Sequence, residues 1–449
     1  MNYWLKNVRI ETGYQKEGDW LSGTVTKEVA IEVTDGVFTK IIPNEELVEE
    51  SGMTIIDGHH QLILPGLIEK HCHFDKSKLG VPWYPVTPAK SIVERVEAEI
   101  PYLDSLELSL TERANHLIDL ELPHGATAFR THVDVEPMTD LRYFDEVQAL
   151  AQTKPFAVEI VVFPQHGLLR SDSVELVDQA LAKGADFIGG VDPYSLDGDY
   201  KKSLAETFRL ADKHGVGVDI HLHDRHEAGT TTIKEIIRLT KEYGLQDKVF
   251  ISHAFGLNDF IGEERAEVYD ALAAEKIHIN SSVPITPNTI PPIMELLRHG
   301  VNVHLGCDNI YDCWSPYGDG SLQEKLARLG ELFNVKDQDA LTQLLGLVTD
   351  GVTTLDEQGQ VNWPQVGAEA TYLLTEAECA AAFVARQTPV EISVVKGTTL
   401  YQKKQKEARF LASFFVIKFI WIRRLILQLK TTSILYFIDE ISEKKYDLI

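Results

Sequence analysis

The sequence predicts an α/β fold: a (β/α)8 barrel of the TIM type, preceded by a small β-domain. Three observations predict it. Eight short apolar runs alternate with amphipathic stretches over residues 63–365. Histidine and aspartate recur at the C-terminal ends of those runs, the face on which barrel enzymes carry their chemistry. Residues 1–62 show the two-residue alternation of β-strands instead.

In the β-domain, residues 3–10 and 29–42 alternate apolar and polar side chains, and Asp35-Gly36 marks a tight turn inside the second stretch. Residues 54–64 form a further strand, interrupted at Asp57-Gly58. The chain then enters PGLIEKHCHFD, residues 65–75. Side chains two apart on a strand share a face, so His71 and His73 aim at one point and Cys72 faces away. Two converging neutral imidazoles make half of a divalent-metal site. Such a pair standing alone is more often two surface or hydrogen-bonded histidines.

Barrel strands are expected at residues 66–73, 126–135, 156–164, 187–191, 217–223, 249–253, 277–280 and 302–308. Helical periodicity falls between them, at 173–183, 201–214, 231–243, 263–275 and 290–299. The first connection is much the longest, and residues 76–123 carry extra helices that form either a lid or decoration.

The polar residues at the strand ends are His71 and His73, His132 and Asp134, Gln165, His221 with His223 and Asp224, His253, and Asp308. A single buried histidine is ordinarily a satisfied core residue. Five strand ends bearing His or Asp are hard to place in a core, since each unpaired buried polar group costs roughly 1–3 kcal/mol. A metal ion and its surroundings would satisfy them together.

Composition narrows the partners. The 449 residues carry 43 Lys/Arg and 68 Asp/Glu, a net charge of −25. That balance disfavours nucleic acid and anionic membranes, and its ordinary reading is solubility. The four cysteines, Cys72, Cys307, Cys313 and Cys379, have no C-x-x-C spacing and fit free thiols in a reducing compartment. The N-terminal MNYWLKNVRIETG has no signal-peptide pattern, so a cytoplasmic location is expected. Residues 403–449 differ from the rest. They hold ten Lys/Arg and five Asp/Glu, and their apolar stretch is broken by Lys418 and by Arg423-Arg424. They are expected to be an atypical C-terminal extension without a membrane span.

The ordered set PGLIEKHCHFD, FRTHVDV, VVFPQHG, GVDIHLHD, ISH and VNVHLGCDNIYDCW resembles the amidohydrolase superfamily, and within it the bacterial cytosine deaminase branch. The resemblance runs from the N-terminus to about residue 402. It returns residues 366–402 to the β-domain through RQTPVEISVVKGTTLYQ, giving a small β-sandwich built from both ends of the chain. It implies one divalent ion, zinc or iron(II), held by His71, His73, His221 and Asp308. The strand-four end FIGGVDPY lacks the lysine of dinuclear relatives. Asp308 would accept the proton of the attacking water and His253 would hydrogen-bond the attacking oxygen. Asp224 stands where the family has a proton-shuttling glutamate, with Glu227 as a weaker substitute. Gln165 matches the glutamine that pairs with a ring amide, and Trp314 an aromatic over the ring. Lys76 and Lys78 follow the His-x-His pair and either hold an anionic substrate group or sit in solvent.

The expected activity is hydrolytic deamination of a cytosine-like amino-substituted heterocycle, with release of ammonia. The alternatives are hydrolysis of a cyclic or exocyclic C–N amide bond at the same centre, and a non-catalytic product with a disrupted C-terminus. A homo-oligomer is left open.

Overall fold

A computed structural model describes residues 2–286 and 289–404. Eight parallel strands form the barrel: Leu67–Cys72, Ala126–Asp134, Ala157–Phe163, Phe187–Val191, Gly217–His221, Val249–Ser252, His278–Ser281 and Val303–Leu305. Each pairs in parallel with its neighbour in sequence. Covered on both faces, they are apolar on one, as Val218, Ile220, Ile251 and Ile279 illustrate, while the other also buries polar side chains such as Arg130, Asp219 and Asn280. Amphipathic helices such as Tyr200–His214 and His226–Tyr243 bury one stripe against them.

The first and last strands meet at a seam held by few bonds. Among the described residues, one bridge joins Cys72 to Asp308, and the Asp308 N–H donates to the His71 carbonyl at 2.7 Å. The buried Glu69 carboxylate supplies what a ladder would otherwise provide. It accepts from the His71 N–H at 2.8 Å and the Cys307 N–H at 2.9 Å. Gly306 permits this approach, because a Cβ there would lie 2.6 Å from both Glu69 Oε1 and His71 Cβ. The seam therefore fixes His71 and Asp308 relative to each other.

The chain ends form a second, mostly antiparallel sheet, the small β-sandwich. Its order is Thr398–Gln402, Val390–Val395, Tyr372–Thr375, Leu62–Pro65, Tyr3–Glu17, Trp20–Thr34 and Val37–Pro43, with Ile55–Asp57 beside Tyr3–Glu17. Its own apolar core includes Leu5, Ile31, Phe38, Ile63, Trp363 and Tyr372. Asp35 and Gly36 both take positive φ, 51° and 78°, as the tight hairpin turn requires. The first hairpin is much longer than the alternation suggested. Residues 11–28 continue both strands as a largely exposed ribbon, whose polar faces leave no apolar period to detect.

The long first connection holds two helices, Ile92–Asp104 and Leu110–Glu121, capped by the Ser91 and Ser109 side chains. Among the described residues no helix is long and apolar enough to cross a membrane. The expectation for the C-terminal extension falls outside the described residues from 405 onward.

Candidate active site

The site forms where four strands end. Ligand-type nitrogens of His71, His73 and His221 lie within 4.8 Å of one another, and a second such group joins His71, His253 and Asp308. Asp308 Oδ1 stands 3.5 Å from His71 Nε2 and 3.4 Å from His73 Nε2. His71 Nε2, His73 Nδ1, His253 Nε2 and both nitrogens of His221 are buried without a hydrogen-bond partner. Burial, and then the neighbouring imidazoles, hold His221 well below the usual histidine range. His73 and His253 are likewise lowered, burial first. Burial alone would raise the Asp308 carboxyl, but the adjacent His71 and His73 rings outweigh it and hold it well below the carboxylate range. Neutral imidazoles beside an ionised carboxylate suit a divalent cation, and such an ion would satisfy the orphaned nitrogens. His71, His73, His221 and Asp308 therefore fit a divalent metal ion. His253 and Asp308 both take positive φ, 69° and 60°. Each such conformation costs about 1–3 kcal/mol for a residue with a side chain, and such strain clusters at functional sites.

Behind His71 runs a buried chain of hydrogen bonds. Ser252 Oγ donates to Asp219 Oδ1 at 2.6 Å, so it accepts from His71 Nδ1–H at 3.0 Å. This sets the tautomer and leaves Nε2 as the basic nitrogen. Asp219 is held in turn by Arg130 at 3.1 Å and Asn280 at 3.2 Å. Partners of this kind tune a metal site, so Ser252→Ala should weaken metal affinity by about 10–100-fold. Competition with a chromophoric chelator measures this, and unchanged affinity would contradict the role.

A cavity of about 320 Å³ opens over the cluster, lined among others by His73, His221, His253, Asp308, Gln165 and Trp314. Ile92 and Val96 of the first extra helix also line it, so the long connection contributes to the cavity wall. Gln165 Nε2 donates to Glu99 Oε2 of that helix at 2.7 Å. Glu99 also accepts from Lys76 at 3.1 Å, and Lys76 donates to Asp134 at 2.5 Å. Burial opposes charge on Lys76, but Asp134, Glu99 and Asp75 outweigh it and raise its pKa. The Lys76 ammonium is thus already neutralised, which disfavours it as an anion holder.

His223 lies past the strand end, which falls at His221. Its ring stacks on His253 with centroids 4.5 Å apart and lines the cavity. Asp192 Oδ2 sits 2.9 Å from its Nδ1, and Asp192 Oδ1 accepts its backbone N–H at 2.6 Å. Burial opposes protonation of His223, and Asp192 outweighs it. Asp224 is placed elsewhere. Its carboxylate accepts from Ser195 Oγ at 2.5 Å and the Ser195 N–H at 3.2 Å, and it is not part of the cavity wall. The strand has ended at His221, and in the loop beyond it Ser195 and Asp192 hold Asp224 away from the cavity. Glu227 is exposed on the following helix.

Asp192, Glu99, Ser252 and Asp219 were not singled out in the sequence. Asp192 and Asp219 lay in view, in FIGGVDPY and GVDIHLHD, but their partners come from other strands.

Residues 119–401 match the sequence profile of the amidohydrolase family. The uncharacterized protein YahJ of Escherichia coli (strain K12) is 35% identical over 405 residues, 89% of this chain and 88% of its own length. N-isopropylammelide isopropyl amidohydrolase of Pseudomonas sp. (strain ADP) is 28% identical, over 63% of this chain and 72% of its own. The crystal structure of N-isopropylammelide isopropylaminohydrolase from Burkholderia multivorans superposes with a TM-score of 0.78 at 29% identity, covering 90% of this chain and 98% of that one. 5-Methylcytosine deaminase from Klebsiella pneumoniae shares the fold, with a TM-score of 0.74 at 22% identity. With its barrel, its strand-end histidines and this matched span, the chain belongs to the amidohydrolase family of metal-dependent hydrolases that act on C–N bonds.

Proposed function

We propose that the protein hydrolyses the exocyclic C–N bond of a cytosine-like, amino-substituted heterocycle and releases ammonia. The observation that carries this is Gln165. One of its amide N–H groups is committed to Glu99, which fixes the side chain in the cavity wall. Its carbonyl oxygen and second N–H remain for the N–H and C=O edge of a planar ring. Trp314, in the same wall, offers an apolar face to that ring.

His71, His73, His221 and Asp308 would hold one divalent ion, which when bound would supply water activation by lowering the pKa of a water toward neutrality. Asp308 takes the proton of the attacking water on a carboxylate oxygen. His253 offers Nε2 to the attacking oxygen and orients it. His223, anchored through Nδ1 by Asp192, holds a proton at Nε2 for the ring nitrogen or the departing amine. Ile92, Val96 and Phe255 exclude water around the ring.

A second substrate class has its own support: removal of an alkylamine from an exocyclic C–N bond. The apolar walls from Ile92 and Val96 leave room for a small alkyl group, and the relatives named above act on N-isopropylammelide. A panel of amino- and alkylamino-substituted pyrimidines and triazines, assayed for ammonia and for alkylamine, separates the two. On the true substrate, Gln165→Ala should chiefly raise KM. Activity confined to acyclic amides or esters would overturn both versions. Free cysteines throughout the described residues fit a cytoplasmic enzyme.

A further inference from the structure

A second cavity, also of about 320 Å³, lies between the first extra helix and the loop that leads to it from the first barrel strand, with Cys313 from the loop after the last strand. Glu99 lines the second cavity and accepts a hydrogen bond from Gln165 in the wall of the first. The second holds two cations, Lys78 and Arg95, together with Tyr84, Tyr102 and Cys313.

Lys78 is only 1% exposed. Its ammonium donates to the Tyr84 carbonyl at 3.0 Å and lies 4.8 Å from the centre of the Tyr311 ring. Among the described residues it forms no ion pair. Lys76, two residues earlier and equally buried, has two carboxylates on its ammonium. Arg95 donates to the carbonyls of Cys313 at 2.7 Å and Thr87 at 3.3 Å, stacks 5.5 Å over the Trp314 ring, and likewise has no carboxylate partner among the described residues. The two carboxylates on the wall are engaged elsewhere. Glu94 accepts the Lys90 N–H at 2.6 Å, and Glu99 is taken by Lys76 and Gln165.

A buried ammonium without a carboxylate is expensive, and in a chain of net charge −25 two unpaired cations on one cavity are not explained by overall composition. Aromatic side chains of Tyr84 and Tyr102 would flank what enters. We propose that this cavity binds an oxyanion, a carboxylate or phosphate group on a small and partly apolar molecule, with Lys78 as its counter-ion and Arg95 as a second donor. The site stands whether or not the proposed reaction is right.

Benzoate is a suitable probe, with benzamide as its neutral control. Calorimetric titration of the metal-loaded protein should show benzoate binding and much weaker benzamide binding. Lys78→Met should weaken benzoate by roughly tenfold or more, as for loss of one partner of a desolvated charge pair. Arg95→Gln should weaken it too, and decides the matter if Lys78→Met fails to fold. His71→Ala should leave it in place, because that residue belongs to the catalytic cluster and not to the wall of the second cavity. Benzoate affinity unchanged by Lys78→Met, equal affinity for benzamide, no binding by the wild type, or binding lost in His71→Ala would each overturn the proposal. The last outcome would put the anion at the catalytic centre instead. Competitive inhibition of turnover by benzoate would assign the site to an anionic substituent of the substrate. Binding without inhibition would assign it to a free anion. Either result supports the site.

Discussion

His71→Ala is expected to strip the metal from the protein and to abolish turnover. The wild type, reconstituted with zinc or iron(II), should hold about one ion per chain, and elemental analysis after gel filtration reads the difference. The size of the effect follows from what His71 does. It presents Nε2 to the cluster, 3.5 Å from Asp308 Oδ1, and Ser252 fixes its tautomer from behind. Losing an outer partner costs about 10–100-fold in metal affinity, so losing the ligand it serves must cost more. The variant also removes a buried ring from between His132, at 4.3 Å, and His221, at 4.6 Å, and some stability will go with it. Comparing its melting temperature with that of chelator-treated wild type separates the two effects. Similar melting with no bound metal supports direct loss of a ligand. Full occupancy after exposure to a chelator would remove His71 from the ligand set.

The barrel was legible because a strand covered on both faces is rich in apolar residues, and a barrel strand must stop at its functional end. Residues 187–191 and 249–253 show both features, and seven of the eight expected strands end within two residues of the observed ends. The last is shorter. Its continuation at Cys307 gives its N–H to the Glu69 carboxylate rather than to a ladder. The five histidine and aspartate residues of the cluster were legible for a related reason: they sit at or just past the ends of strands whose direction is fixed. Side-chain partners were not. Nothing local in the sequence ties Lys76 to Glu99 and Asp134, or His223 to Asp192, because those contacts depend on how neighbouring connections fold back over the barrel mouth. Asp224 lies at the boundary of what the resemblance carries: it occupies the position of the family's glutamate, but the strand ends at His221 and the carboxylate is bound by Ser195.

That boundary leads to the sharpest test of the acid–base assignment. His223→Gln should lower kcat on the true substrate by on the order of 10²–10⁴, while Asp224→Asn should stay close to wild type. The argument is geometric. His223 lines the cavity, and its Nδ1 is held by Asp192 at 2.9 Å, which leaves Nε2 for a substrate nitrogen. Asp224 spends its carboxylate on Ser195, at 2.5 Å from Oγ and 3.2 Å from N. Glutamine at position 223 can still donate a hydrogen bond, but it cannot transfer a proton at neutral pH, so it separates proton delivery from binding. Asp192→Asn provides a companion test. It keeps the size of the side chain while removing the charge that favours a protonated His223, and it should therefore lower kcat more than it raises KM. Metal content must stay near wild type in all three variants, since none replaces a proposed ligand. If Asp224→Asn loses the large factor and His223→Gln does not, the carboxylate must swing from Ser195 into the cavity when substrate binds, and the family's acidic shuttle would survive here with a shorter side chain. If neither variant is slowed, the proton reaches the leaving amine from Asp308 alone.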